Sequence, residues 1–181
     1  MAIFTNGIFP AAGEQGHGGG IIQVKQTIVT QRVSYNGSSF AEIGQLDVGI
    51  TPQSSSNKIL IMSSWSMSSA DGGSLPYPLF RLRRRIGSSS NSFTTLDQGD
   101  AHSNRSRGMV GTSPSSGTGS QCQAFAFNYI DAPNTTSQCT YMWEAKCYSG
   151  RYLTINGSGT HSDGNVAVAG IATMIAMEFS S

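Results

Sequence analysis

The stretch ILIMSSWSM, Ile59 to Met67, carries Ile59, Ile61, Ser63, Trp65 and Met67 at every second position. Side chains alternate between faces along a β-strand, so these five share one side and Leu60, Met62, Ser64 and Ser66 share the other. A helix would scatter the same residues around its circumference. The stretch therefore reads as a strand whose Ile59-to-Met67 set faces a core.

Outward from it, short alternating or β-branched runs recur, bounded by Gly, Ser, Asn and Pro, and helical periodicity is nearly absent. IIQVKQTIVTQRVSY (Ile21 to Tyr35) reads as one long or two short strands, and FAEIGQLDVGI (Phe40 to Ile50) as another pair of pieces. The turn TPQSSSNK (Thr51 to Lys58) separates them from ILIMSSWSM. CQAFAFNYI and CTYMWEAKCYS form two further strands joined by DAPNTTSQ (Asp131 to Gln138). In the second of these, Cys139, Tyr141, Trp143, Ala145 and Cys147 fall on one face, which makes two thiols core-like small hydrophobes. The polar stretch from Gly87 to Ser120 leaves room for one or two weak strands. The chain class is all-β: an antiparallel β-sandwich or barrel.

VAVAGIATMIAMEF (Val166 to Phe179) also reads as a strand, with Ile171, Thr173, Ile175, Met177 and Phe179 on one face. The other face, Val168, Ala172, Met174 and Ala176, is small and apolar. A strand apolar on both faces is covered on both. The second cover is either the chain's own loops or a neighbouring subunit, so these four residues form a candidate subunit interface.

The 181 residues suffice for one domain with a real core. A net charge of +1 gives no global field to attract a polyanion, and 12% charged residues is about half the usual share. Such a polar, weakly charged surface suits a structural protein partly covered by neighbours. No apolar run is long enough to span a membrane as a helix. The N-terminal stretch lacks the basic and apolar regions of a secretory signal. Three cysteines without metal spacing point to reduced thiols in a chain made and assembled in a cytoplasm.

Residues 1–20 form an expected extended N-terminal arm, and 21–181 a single sandwich domain. The arm holds two apolar pairs, Ile3-Phe4 and Ile8-Phe9, and ends in GHGGG, a flexible hinge. Four large hydrophobes are costly to leave in water, so the arm docks on a partner, swaps between subunits or folds back along its own sandwich.

No catalytic motif is present. His102 near Asp100, and His161 near Asp163, lack a third ligand at a familiar spacing, so neither metal nor cofactor is expected. The scattered carboxylates offer no paired acid and base.

FRLRRRIG, Phe80 to Gly87, holds four of the chain's 11 basic residues. A strand splits it into Phe80, Leu82, Arg84 and Ile86 on one side and Arg81, Arg83 and Arg85 on the other. The outward row is a candidate contact for an acidic or protein partner, or else pairs with carboxylates such as Glu42, Asp47 or Glu144. Its only aromatic in sequence, Phe80, lies on the opposite face, which argues against specific nucleic-acid binding. Replacing all three outward arginines by Ser is expected to weaken assembly and leave folding nearly intact. Arg84, inward and charged, needs a carboxylate or several carbonyls around it.

GGIIQV, TPQSSSNKILI, the Phe80-Leu82-Arg84 strand, DAPNTTSQCTY (Asp131 to Tyr141) and IAME (Ile175 to Glu178) follow one another in the order found in a group of small virion proteins. In these motifs the chain resembles virion proteins of tailed phages that infect cyanobacteria and marine bacteria. The resemblance implies a jelly-roll-like antiparallel β-sandwich on the outside of a virion, in homotrimers. Proteins of this group are capsid decoration (cement) proteins, head fibres or tail-fibre components, and the resemblance implies no enzyme activity. A single domain with a separate hydrophobic arm and low charge favours a cement protein contacting the major capsid protein or other virion proteins. The alternative is a tail-fibre or head-fibre component whose loops, rich in Ser, Asn and Tyr, bind a host surface glycan. The chain departs from the pattern where an acidic residue usually follows the strand arginine and Arg85 stands instead, which leaves the partner of Arg84 open.

Overall fold

The computed structural model describes residues 20–69, 77–104, 106–111, 122–147, 151–158 and 169–180. Ile3, Phe4, Ile8, Phe9, His17, His161 and Val168 lie outside the described residues. All regular structure described is β-strand: β1 Ile21–Val29, β2 Val33–Tyr35, β3 Ala41–Ile50, β4 Lys58–Ser69, β5 Leu79–Ile86, β6 Thr94–Thr95, β7 Val110–Gly111, β8 Gln123–Asp131, β9 Cys139–Lys146, β10 Leu153–Ile155 and β11 Ala172–Phe179.

The strands form two antiparallel sheets. The first runs β1–β11–β4–β8, with β10 paired to the far end of β4 and β2 paired to β10. The second runs β3–β9–β5, with β6 and β7 pairing in turn along the free edge of β5. With β6 and β7 taken as two pieces of one strand, the principal strands in chain order stand 1-8-3-6 in one sheet and 2-7-4-5 in the other. That is the double Greek key of a jelly roll. The fold is an all-β, jelly-roll-like sandwich.

The core lies between the sheets and follows the alternation read from sequence. Ile59, Ile61, Trp65 and Met67 of β4 are buried, as are Cys139, Tyr141, Trp143 and Ala145 of β9 and Cys147 just after it. The Trp65 ring stacks on Phe125 at 4.1 Å and meets Phe80 and Trp143 edge-on at 5.4 and 5.5 Å. Such offset and edge contacts satisfy the ring quadrupoles better than a face-to-face sandwich. The Trp143 indole N–H crosses from the second sheet to donate to Ser63 Oγ of the first at 2.8 Å. The serine in the inward set of β4 thus satisfies a buried donor that would otherwise cost about 1–3 kcal/mol.

The short strand β10 gave no clear signal in sequence. Asn156, just past it, adopts φ 62°, a conformation Asn tolerates better than most residues. Its side-chain amide donates to the carbonyls of Val29 and Gln31 at 2.9 and 3.2 Å, in the gap between β1 and β2. Its backbone N–H donates to Ser66 O, and its carbonyl accepts from Gly170 N. One residue therefore closes the break where β1 gives way to β2.

The last strand corrects an expectation. Ala172, Met174 and Ala176 are buried in the chain's own core, not set at a subunit interface, and Thr173, Ile175, Met177 and Phe179 face outward, part-exposed. The inward set continues with Glu178, also fully buried. Its Oε1 accepts from the Gln53 backbone N–H at 2.7 Å and Asn57 Nδ2 at 2.6 Å, and its Oε2 accepts from Gln23 Nε2 at 2.6 Å. Burial opposes ionisation of this carboxyl, but those donors outweigh it and hold it below the ordinary value of 4.5. A group whose pKa is lowered on folding stabilises the fold above its unfolded pKa, and that contribution is lost as pH falls through the lowered value. Glu178→Gln, which turns one acceptor into a donor facing donors, should cost about 1–3 kcal/mol near pH 7 by urea denaturation. Its stability should also fall less steeply than the parent's as pH drops below 4.5; equal slopes would contradict the role assigned to Glu178.

Candidate functional site

Strand β5 splits its arginines as its two-residue period requires. Arg84 points between the sheets, and its Nη1 donates to both oxygens of Asp131 at 2.8 and 2.6 Å. Asp131 ends β8, in the other sheet. Tyr141, the cross-strand neighbour of Arg84 on β9, donates its hydroxyl to Asp131 Oδ2 at 2.6 Å. Burial pulls the Arg84 pKa down, but the hydrogen bonds and charge of Asp131 outweigh it and leave it raised. Burial, reinforced by Asp131, also pushes the Tyr141 phenol far above its ordinary range, so it serves only as a donor. The partner of Arg84 is thus the aspartate that opens the DAPNTTSQCTY motif.

Arg81, Arg83 and Arg85 lie on the outer face of the second sheet, but they do not form an open cationic row. Arg81 Nε and Arg83 Nη1 take one oxygen each of Glu144 at 2.5 and 2.7 Å. Arg83 also donates to the Phe93 carbonyl. The Arg81 guanidinium lies 4.1 Å over the Phe40 ring, and Arg85 lies 4.7 Å over Phe93. Two aromatics therefore flank the row, Phe40 before β3 and Phe93 in the loop after β5, contrary to the reading that Phe80 was the only one. A guanidinium lies over one face of each ring. Glu42 stands directly across from Glu144 in the ladder, with Asp47 nearby. Burial, then the charges of Asp47 and Glu144, raise the Glu42 pKa. Three carboxylates interleave with the arginines, so this face is close to neutral.

The outer face of the first sheet is different in kind. The registers align Val24, Met177, Leu60 and Ile130 in one row straight across β1, β11, β4 and β8. The next row reads Gln26, Ile175, Met62 and Asn128, and the next Ile28, Thr173, Ser64 and Ala126. None of these twelve side chains is charged. Val24 is 50% exposed, Ile28 55% and Ile130 56%. Ile21 and Ile171 extend the patch at its margins. Scattered exposed hydrophobics are ordinary, whereas an uncharged apolar row across four strands marks an interaction surface. The sequence signal for it was the apolar character of both faces of β11; only the assignment of the two faces was inverted.

A hollow beside β5 is lined by Leu79, Asp100, His102, Ser106 and Arg107. It gathers the His102–Asp100 pair, but among the described residues no group of three metal-ligating side chains occurs. No described helix is long and apolar enough to cross a membrane.

No protein-family model matches the chain, and no curated protein matches it. Solved structures of infectious bursal disease virus align with it loosely. The Gx strain structure shows 9% identity and a TM-score of 0.39 over 87% of this chain and 38% of that one. The Gt strain structure shows 9% and 0.41 over 88% and 43%. The VP2 subviral particle shows 8% and 0.36 over 88% and 42%. The chain spans about two-fifths of the length of those chains. At that level of similarity the alignments carry no argument, and the fold rests on the strand order above.

Two outcomes follow from the geometry, both read by urea denaturation. Arg84→Ala strands a buried Asp131 and should cost about 3–5 kcal/mol, and Arg84→Met with Asp131→Asn should recover part of that. The Arg81→Ser/Arg83→Ser pair orphans Glu144 and should cost about 2–4 kcal/mol, while Arg85→Ser alone stays within about 0.5 kcal/mol. The triple replacement is therefore expected to cost folding stability as well as assembly, unlike the expectation from sequence. Equal effects of Arg81→Ser and Arg85→Ser would contradict the pairing with Glu144.

Proposed function

We propose that the protein is a non-enzymatic structural component of a virion, a capsid decoration or cement protein that acts through contacts with neighbouring subunits and the shell. The observation that carries this reading is the uncharged apolar row Val24–Met177–Leu60–Ile130 on the outside of the first sheet. A surface of that kind is suited to lasting cover by protein, and a sugar or a phosphate would find no charged partner in its three rows. The jelly roll is a fold used by viral capsid proteins and by lectins, so the fold alone is analogy, and the apolar surface favours the first of these. The sequence resemblance to phage virion proteins points the same way. Its motif residues Gln23, Asn57, Glu178, Arg84, Asp131 and Tyr141 meet in two buried networks, as expected of a scaffold. Partners of this class are the major capsid protein and further copies of the chain. The basic row contributes at most Arg85, whose guanidinium lies over Phe93, since Glu144 holds Arg81 and Arg83.

Gold-labelled antibody against the protein, imaged on intact particles, tests the reading. The expected result is regular labelling of the head. Labelling confined to the tail would favour a host-binding fibre component, and particles without label would overturn a virion role. Release of sugars from host polysaccharide by the purified protein would overturn the non-enzymatic part.

A further inference from the structure

The outer face of the first sheet needs an occupant that is apolar and uncharged, and the chain supplies such a segment. Residues 1–13 contain no charged side chain and carry the pairs Ile3-Phe4 and Ile8-Phe9. They lie outside the described residues, and the described chain begins at Gly20, at the corner of this face. There the Gly20 carbonyl accepts from Ser180 N–H, and the following Ile21 pairs with Phe179. The segment thus leads away from the edge of the surface whose chemistry it matches.

Spacing agrees as well. Ile3 and Ile8 are five residues apart, about 17 Å in extended chain, and the four-strand row is about 14 Å across at ordinary strand separation. One apolar pair can therefore sit near each end of the row. Reach allows the cover to fall on another copy. Phe9 lies eleven residues before Gly20 and Phe4 sixteen, about 36 and 53 Å away along an extended chain. The apolar positions Val24 to Ile28 lie only about 13–26 Å from Gly20 along β1. Fully extended, the arm reaches beyond the patch of its own sheet, so its length suffices to carry both pairs onto the same face of a second molecule.

We infer that residues Ile3 to Phe9 of one copy dock across the row Val24–Met177–Leu60–Ile130 of a second copy, with Ile175 and Met62 beneath them. This deepens the assembly reading by naming the partner of that face as another copy of this chain. Exchange of an identical element is a low-cost route to oligomers, and the glycines at positions 16 and 18–20 give it a hinge.

The test uses full-length protein with a photo-reactive phenylalanine analogue in place of Phe9, prepared in isotopically light and heavy forms and mixed. The inference expects light–heavy crosslinks to peptides holding Val24–Ile28, Leu60–Met62 or Ile171–Phe179. Phe4→Ser/Phe9→Ser should raise the concentration of half-dissociation by at least about tenfold in sedimentation. Ile175→Glu should do the same, and the combined variant should add little to either. Because the arm variant leaves the sandwich untouched, misfolding of Ile175→Glu would not blunt the test. Crosslinks only within a chain, crosslinks to any other surface, or protein that stays monomeric at every concentration would each overturn the inference. Absence of the protein from particles would sink the virion reading and leave arm exchange standing, so the two fail separately.

Discussion

Arg84 and Asp131 sit in different sheets, and the ion pair between them fixes how the two halves of the sandwich meet. Sheets in a sandwich share no backbone hydrogen bonds across the core, so their relative placement rests on side chains alone. Most of that contact here is apolar and tolerant of small slides. A guanidinium held to a carboxylate that also accepts from Tyr141 is not, because any slide leaves a desolvated charge unmatched. The Trp143–Ser63 bond makes a second polar crossing in the middle of the core. At the same end of the first sheet, across Ile59 from Asp131 in the ladder, Glu178 ties β11 to β1 and to the turn before β4 through Gln23, Gln53 and Asn57.

These fastenings account for most of the quoted sequence motifs. Gln23, the turn from Thr51 to Asn57 and Glu178 lie far apart in the chain and converge on one carboxylate; Arg84, Asp131 and Tyr141 converge on another. The motif pattern therefore describes what closes the jelly roll. What remains for partners is the outside, and there the two sheets differ. The second sheet satisfies its own outer face, since Glu144 neutralises Arg81 and Arg83 while Phe40 and Phe93 cover the guanidinium planes. The first sheet leaves an apolar row uncovered among the described residues. An interface needs a surface whose chemistry is unfinished, and only the first sheet offers one on this scale.

The core was legible where alternation was clean. β4 and β9 each pair a bulky inward set with a more polar or covered outward set, so the period alone identified the buried residues. β11 defeated the same logic because both its faces are apolar, and a two-residue period separates faces without saying which is inside. The one acidic residue of the strand is no guide either. Glu178 shares a face with Ala172, Met174 and Ala176, and a carboxylate on a face ordinarily argues for solvent; here three donors from distant segments hold it buried. The arginine row had the opposite fault: its split was plain from sequence, but its partners Glu144, Phe40 and Phe93 come from elsewhere in the chain. β10 was missed because three residues between Ser/Gly-rich loops carry no period, and its position is fixed by Asn156 bridging strands it does not adjoin in sequence.

The central claim is that the outer face of the first sheet is the surface through which this protein assembles. Methionine oxidation by peroxide reads it residue by residue, since Met62 and Met177 lie on that face while Met67 and Met174 are fully buried. In dilute, dissociated protein Met62 and Met177 should oxidise well ahead of Met67 and Met174, and in the assembled protein all four should be slow. Oxidation of Met62 and Met177 at an unchanged rate in the assembled protein would contradict the account.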